Sequence, residues 1–376
     1  MWYFSRRVGY WLLALCSGLV VACTVKNAGS YWLAQQIPGT EIPGNFPVPV
    51  YAANQNPPSA EAFTLGRTLF YDARLSRTGE VSCGSCHHQA NAFSDAGQRY
   101  SQGVLGHIGT RNTPALQNLR WRRELLWDGG ANHIETMPLA PLANHLEMGE
   151  TLANVVRKLN ADPVYKQLFA DLYGRQPIDS YQFLRALAQF TAALTSANSR
   201  YDHYVRCEAG GELTKSELHG LLVLRKSCSP CHSGDMFTDE SYRNNGLNHT
   251  FPLDSGRAHI TGRKSDVGRF KVPSLRNVTL TAPYMHDGRF QTLEEVLNHY
   301  DQGVVVSPTL DPLFLQPTGR PRIRLSAQEK TDLLAFLSAL TDESFLQDER
   351  LADPSTTHLE ARPLAAGISS HKSVPY

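Results

Sequence analysis

A surplus of charge of either sign is missing from this sequence, in which 36 Lys and Arg face 35 Asp and Glu over 376 residues. No basic stripe accompanies the balance, so nucleic acid is not expected as a partner. Long hydrophobic runs are scarce as well. The most apolar stretch, Trp11 to Ala22, has twelve residues, too few to span a bilayer comfortably. Behind Arg6 and Arg7 it reads instead as an export signal. Cysteine is sparse, seven in all, and its distribution carries most of the information.

The apolar run ends in Val20-Val21-Ala22-Cys23, a pattern similar to a bacterial lipobox, in which the Cys is acylated and becomes the mature N-terminus. Residues 1–23 are therefore expected to be a leader, with the protein in the periplasm and anchored as a lipoprotein through Cys23; plain cleavage or an uncleaved anchor is the alternative. Apart from Cys16 and Cys23 of the leader, four of the five remaining cysteines fall into two copies of one pattern. These are Cys83-Gly84-Ser85-Cys86-His87 and Cys228-Ser229-Pro230-Cys231-His232. Two thiols three positions apart can bond to the two vinyl groups of one haem, and the adjoining His can ligate its iron. A zinc ribbon would bring its Cys pairs within about 15–20 residues of each other, and neither zinc nor small disulfide loops explain a His after each pair. Two covalent c-type haems are expected. Cys207 is left without a partner and is expected to be a buried core residue.

The spacing around the two patterns predicts an internal duplication. Apolar periodicity places a helix over Ala60–Asp72 before the first pattern and over Leu213–Lys226 before the second. Phe93-Ser94-Asp95 and Phe237-Thr238-Asp239 follow, then Pro114 to Asn118 and Pro273 to Asn277, each reading Pro-x-Leu-x-Asn. Asp-Gly turns come ten residues later, at Asp128 and Asp287. Helices are predicted at Thr151–Asn160 and Thr292–Tyr300, and closing helices at Tyr181–Ala197 and Ser326–Leu340. Helix, CxxCH, loop, helix is the order of a class I cytochrome c. The predicted fold is mainly α, with two cytochrome c-like domains, each holding one covalently bound haem c. The halves differ in two ways. The first carries 18 more residues between its Asp-Gly turn and the next helix, and Trp127 stands where the second half has His286.

The chain resembles the bacterial di-haem cytochrome c peroxidase and MauG family. The resemblance rests on Leu65 to Asp72, Arg111 to Pro114, Leu126 to Gly129, Glu147 to Gly149, Phe270 to Asn277, Pro283 to Gly288 and Thr292 to Glu295. It implies a Pro-rich linker at 24–54, a peroxidatic haem domain at 55–205, an electron-transfer haem domain at 206–350 and a tail at 351–376. His87 and His232 would be the proximal ligands. Glu147, twenty residues after Trp127, would be the catalytic carboxylate, and Trp127 the route for electrons between the haems. Met137 stands where peroxidases of the family commonly have Gln, and a thioether cannot donate a hydrogen bond to peroxide. Tyr300 stands where they have a Met ligand; a phenolate favours oxidised iron, with His299 and Met285 as alternatives. His107 is offset from the position of the family's distal His. Asn112, Thr281 and Pro283 match a Ca²⁺ site between the haems. The implied activity is reduction of hydrogen peroxide to water with electrons from a small c-type cytochrome or cupredoxin. The alternative is MauG-like oxidation of a protein or organic substrate through a high-valent haem pair. A homodimer is expected.

Overall fold

The computed structural model describes residues 37–52, 54–174, 177–315, 318 and 323–355. The leader with Cys16 and Cys23, and the tail beyond Ser355, lie outside them. Among the described residues no helix is long and apolar enough to cross a membrane.

The first half is built on α1 (Ala60–Tyr71), α2 (Leu139–Ala143), α3 (Leu152–Ala161), α4 (Pro163–Tyr173) and α5 (Ser180–Ala193), followed by the short α6 (Arg200–Val205). The second uses α7 (Lys215–Ser227), α8 (Ala258–Thr261), α9 (Leu293–Asn298), α10 (Ala327–Ser338) and α11 (Glu343–Leu346). The described strands are β1 (Tyr242–Arg243) and β2 (Phe270–Lys271), antiparallel, with Tyr242 opposite Lys271. Mainly α with few strands is therefore the architecture. Local chemistry sets the helix starts. Thr214 with Glu217, Thr292 with Glu295 and Ser326 with Glu329 form reciprocal capping boxes at α7, α9 and α10. Helix α4, absent from the sequence expectation, is started by Asp162, whose carboxylate accepts from the Val164 and Tyr165 N–H groups, with Pro163 at the first turn.

The duplication is visible in the packing. Helix α1 crosses α5 with Gly66 against the Ala186 carbonyl, and α7 crosses α10 with Gly220 against the Asp332 carbonyl. A Cβ on either glycine would fall about 2 Å from that oxygen. The same non-glycine positions are left-handed in both halves: Phe93 and Phe237, Asn118 and Asn277, Leu126 and Met285. Both asparagines are fully buried and take up the chain after the closing helix, the N–H of Asn118 donating to Leu194 and that of Asn277 to Leu340. Phe70, Phe93 and Phe190 form the centre of the first core, and Tyr201, Phe237 and Phe336 that of the second. Each such ring contributes roughly 1.5–3 kcal/mol of burial.

Several expectations change at the edges. The described part of the Pro-rich lead, from Ile37 onward, is packed against the folded halves. Tyr51 joins the first core, and Phe46 lies edge-on to Trp121 and under the Arg276 guanidinium, 4.5 Å from its ring centre. The chain end also crosses back: Phe345 and Leu351 are buried in the first core, and Tyr71 donates to the Leu351 carbonyl at 2.8 Å. Helix α9 stops at Asn298, and His299–Gly303 continues as a π-helical turn. Cys207 is exposed and left-handed, not buried. A core partner would have to come from the short loop after α6, which is solvated.

Candidate functional site

Cys83 to Ser85 form a 3₁₀ turn that follows α1 after a further 3₁₀ turn at Ala73–Leu75 and a loop, whereas Cys228 caps the end of α7 directly. In each CxxCH segment, a tight loop brings the His onto a carbonyl. His87 Nδ1 lies 2.7 Å from the Phe93 oxygen and His232 Nδ1 lies 3.0 Å from that of Phe237. A carbonyl only accepts, so Nδ1 carries the proton and Nε2 keeps its lone pair for a metal. Burial holds both imidazoles neutral, lowering His87 to about 4 and His232 in the same direction. The four thiols are free. Burial raises Cys83 and Cys228 to about 12, and Cys86 and Cys231 to about 11, so the free thiols are neutral. Two neutral thiols beside a His with a free Nε2 fit c-type haem in both halves.

Cys83, Cys86 and His87 line a cavity of about 880 Å³. The long insertion of the first half closes one side of it. Met137 and Pro141 line the wall and Glu147 faces the space. Glu147 is an exposed residue that lines this cavity, and desolvation by the surrounding protein raises its carboxyl above the ordinary range, opposed by the Asn144 amide, which donates to Oε1 at 2.7 Å. The backbone at Glu147 is held by the Val104 N–H at 2.8 Å. Glu135, in the same insertion, points elsewhere: it accepts from the Tyr51 hydroxyl and pairs with His133, tying the insertion to the N-terminal lead. His107 is exposed, its Nδ1 against the His145 carbonyl at 3.1 Å, and it does not line the cavity.

Trp127 and His286 meet on one residue. The Trp127 indole N–H donates to the Asn112 carbonyl at 2.8 Å, and the Asn112 N–H donates to the His286 carbonyl at 2.8 Å. His286 is buried and stacked on Phe270, ring centres 3.5 Å apart. The loop before β2 clamps the seam, with Asp254 on Arg111 at 2.7 Å and Arg257 on the Asp128 carbonyl at 2.9 Å. Arg111 also pairs with Asp128 at 2.6 Å. Asn112, Thr281 and Pro283 line the same cavity at the seam; the Asn112 amide nitrogen is directed to the carbonyls of Gln98 and Arg99.

In the second half, burial raises the Tyr300 hydroxyl to about 12, opposed by the hydrogen bond from Asn245, and Tyr300 lies near Cys228 and Cys231. Its ring stacks on Phe314 at 5.7 Å. His299, the neighbouring alternative, is occupied: Nε2 lies 2.9 Å from the Asn245 carbonyl, and the Gly303 backbone holds the ring as well. Asn245, which carries no motif in the sequence, donates from its side chain to Tyr300 and Met285.

A sequence-family model described as di-haem cytochrome c peroxidase matches residues 60–210. The methylamine utilization protein MauG of Methylorubrum extorquens is 32% identical over 346 residues, covering 89% of this chain and 94% of that protein. The chain belongs to the di-haem cytochrome c peroxidase and MauG family. The family implies two haems c and an oxidoreductase of the peroxidase kind. Cytochrome-c peroxidase IdrP1 of a Pseudomonas species is 31% identical over 97% of this chain and all of that protein. Among solved structures, a MauG-like protein associated with microbial copper homeostasis is 36% identical, with a TM-score of 0.77 over 84% of this chain and 99% of that one. The di-haem peroxidase BthA of Burkholderia thailandensis is 25% identical, with a TM-score of 0.66 over 77% of this chain and 88% of that one.

Proposed function

We propose that this protein is a periplasmic, peroxide-dependent di-haem enzyme of the MauG type, oxidising a protein or organic substrate. Tyr300 beside the second CxxCH is the observation that carries this reading. Haem would be held covalently by Cys83 and Cys86 and by Cys228 and Cys231, and when bound would supply the two-electron chemistry with peroxide. His87 and His232 offer a neutral Nε2 to the irons, each oriented by its Nδ1–H bond to a carbonyl.

Glu147 acts as the proton carrier of the first site. Asn144 fixes Oε1, leaving Oε2 to take a proton from peroxide and return it to the departing oxygen. Met137 and Pro141 keep that wall apolar, which sustains the raised carboxyl. His107 stands outside the cavity, against the His145 carbonyl, and in that position would leave the first site open to peroxide. The Tyr300 oxygen would be a hard anionic donor to the second iron and would favour its oxidised state, and the hydrogen-bonded path through Trp127, Asn112 and His286 links the halves. Ca²⁺ at Asn112, Thr281 and Pro283 would fix that path; a lipid anchor at Cys23 and a homodimer complete the proposal.

The second reading is a cytochrome c peroxidase reducing peroxide to water with a small cytochrome or cupredoxin as donor, favoured by Glu147 over the cavity and by the curated peroxidase relatives. Peroxide turnover with a reduced small cytochrome, in the wild type and in Tyr300→Met, separates the two. Slow wild-type turnover that speeds up in Tyr300→Met supports the MauG-type reading. Fast wild-type turnover supports the peroxidase.

A further inference from the structure

The second haem site holds a side-chain arrangement that no repeat motif predicts. One amide, that of Asn245, has its nitrogen 3.3 Å from the sulfur of Met285 and 3.4 Å from the hydroxyl oxygen of Tyr300. A primary amide has two N–H donors, so both acceptors can be served at once. These two side chains offer opposite kinds of iron ligand, a soft neutral thioether and a hard phenolate oxygen.

The framework around Asn245 is stiff. Asn244 is fully buried and donates to Ser307 and Thr309, both at 2.9 Å. The Gly246 carbonyl accepts from the Val305 N–H at 2.8 Å. Asn245 grips the π-helical turn twice, holding His299 through its backbone carbonyl and Tyr300 through its side chain. Turns of this kind occur mostly as single-turn bulges in α-helices, frequently at functional sites. Met285 sits on a left-handed backbone, between the Tyr284–Phe290 bridge and the Asp-Gly turn. The equivalent residue of the first half is Leu126, which has no ligating atom.

We infer that Asn245 is a positioning residue that presents Tyr300 to the iron of the second haem while holding Met285 back as the alternative ligand. This rests on the reading that Tyr300 is the sixth ligand in the native enzyme. An amide hydrogen bond to the sulfur engages one of its lone pairs and tethers the thioether to Asn245, and the bond to Tyr300 steadies the oxygen in place. Without the amide, the thioether is free to compete.

The test uses the holoenzyme with both haems, read by low-temperature EPR and by the near-infrared thioether-to-iron band. Tyr300→Phe is expected to stay low-spin at the second haem and gain the thioether band, with a raised midpoint potential; adding Met285→Leu should abolish the band and leave a high-spin iron. Asn245→Leu is expected to lose part of the Tyr-ligated signal and gain the thioether band. Asn245→Asp, which keeps the shape but cannot donate, should act in the same direction if the Leu variant does not fold. A high-spin Tyr300→Phe without the band, or an Asn245→Asp spectrum identical to wild type, overturns the inference while leaving Tyr300 as ligand. A Tyr300→Phe spectrum identical to wild type instead removes the reading on which it rests.

Discussion

The two halves share a backbone frame and diverge where the frame is indifferent. Leu126 and Met285 are left-handed at the same place, and so are Asn118 and Asn277. One step further on, Trp127 donates from its indole into the seam, whereas His286 is stacked flat on Phe270. Past the turn, the first half spends its insertion on a cavity wall carrying Glu147. The second half runs directly into α9 and the π-helical turn that carries Tyr300. Conserved geometry with altered side chains gives one site shaped to admit a small oxidant and one furnished with its own ligand. The asymmetry resides in a few residues on a doubled scaffold.

The largest break in that comparison should come from Glu147→Gln. Loss of a positioned proton carrier lowers the peroxide-dependent rate by about 10²–10⁴-fold in stopped flow, with both haem spectra unchanged. Desolvation by the surrounding protein raises the carboxyl of Glu147 above the ordinary range. The base form, and with it the wild-type rate, should be lost as pH falls through a midpoint higher than that of a free Glu, and the Gln variant should show no such limb. A rate unchanged by this substitution would remove the functional distinction between the halves.

Next is Arg276→Leu. Arg276 and Asp202 of α6 are fully buried and joined at 2.7 Å. Removing one partner strands the other charge and should cost about 3–5 kcal/mol in denaturant unfolding. Burial opposes ionisation of Asp202, but Arg276, Ser199 and Asn45 overcome it and bring the carboxyl down to about 2. Its folded value is thus depressed, so the stabilisation is present above the unfolded value of about 3.9 and fades as pH falls toward 2. The variant should lose that part of the acid dependence.

Arg111→Leu touches the seam alone and should cost about 1–2 kcal/mol, since its pairs with Asp128 and Asp254 are partly exposed. Unfolding is expected to remain a single transition; separate transitions for the two halves would contradict the shared packing. Smallest of all, Cys207→Ser should change stability by no more than about 0.5 kcal/mol, because the thiol is exposed. A thiol-reactive probe should label the wild type there without unfolding it.

Much of the frame was legible in the chain because it depends on short-range spacing. The CxxCH patterns, the Asn and Asp-Gly intervals and the apolar periods each fix one helix or turn locally. Glu147 was legible through its interval from Trp127. Asn245 was not: it acts on residues some 40 to 55 positions away, and an Asn pair in a loop gives no local signal. The packed Pro-rich lead and the returning C-terminal segment escaped for the same reason, since their partners are far off in sequence. Helix α4 is a different kind of miss, for its Asp-Pro start was present to be read. The π-helical turn was hidden within an ordinary helical period that ran on to Tyr300.

The return of Phe345 and Leu351 to the first core has a consequence for how the molecule can be taken apart. The lead and the closing segment both belong to the first half, so the second half is inserted into the first rather than appended to it. Cutting at the repeat boundary, in the exposed stretch from Cys207 to Gly210, would give a front piece lacking its own last layer and a back piece carrying hydrophobic residues that belong elsewhere. What began as two equal copies can no longer be separated with one cut.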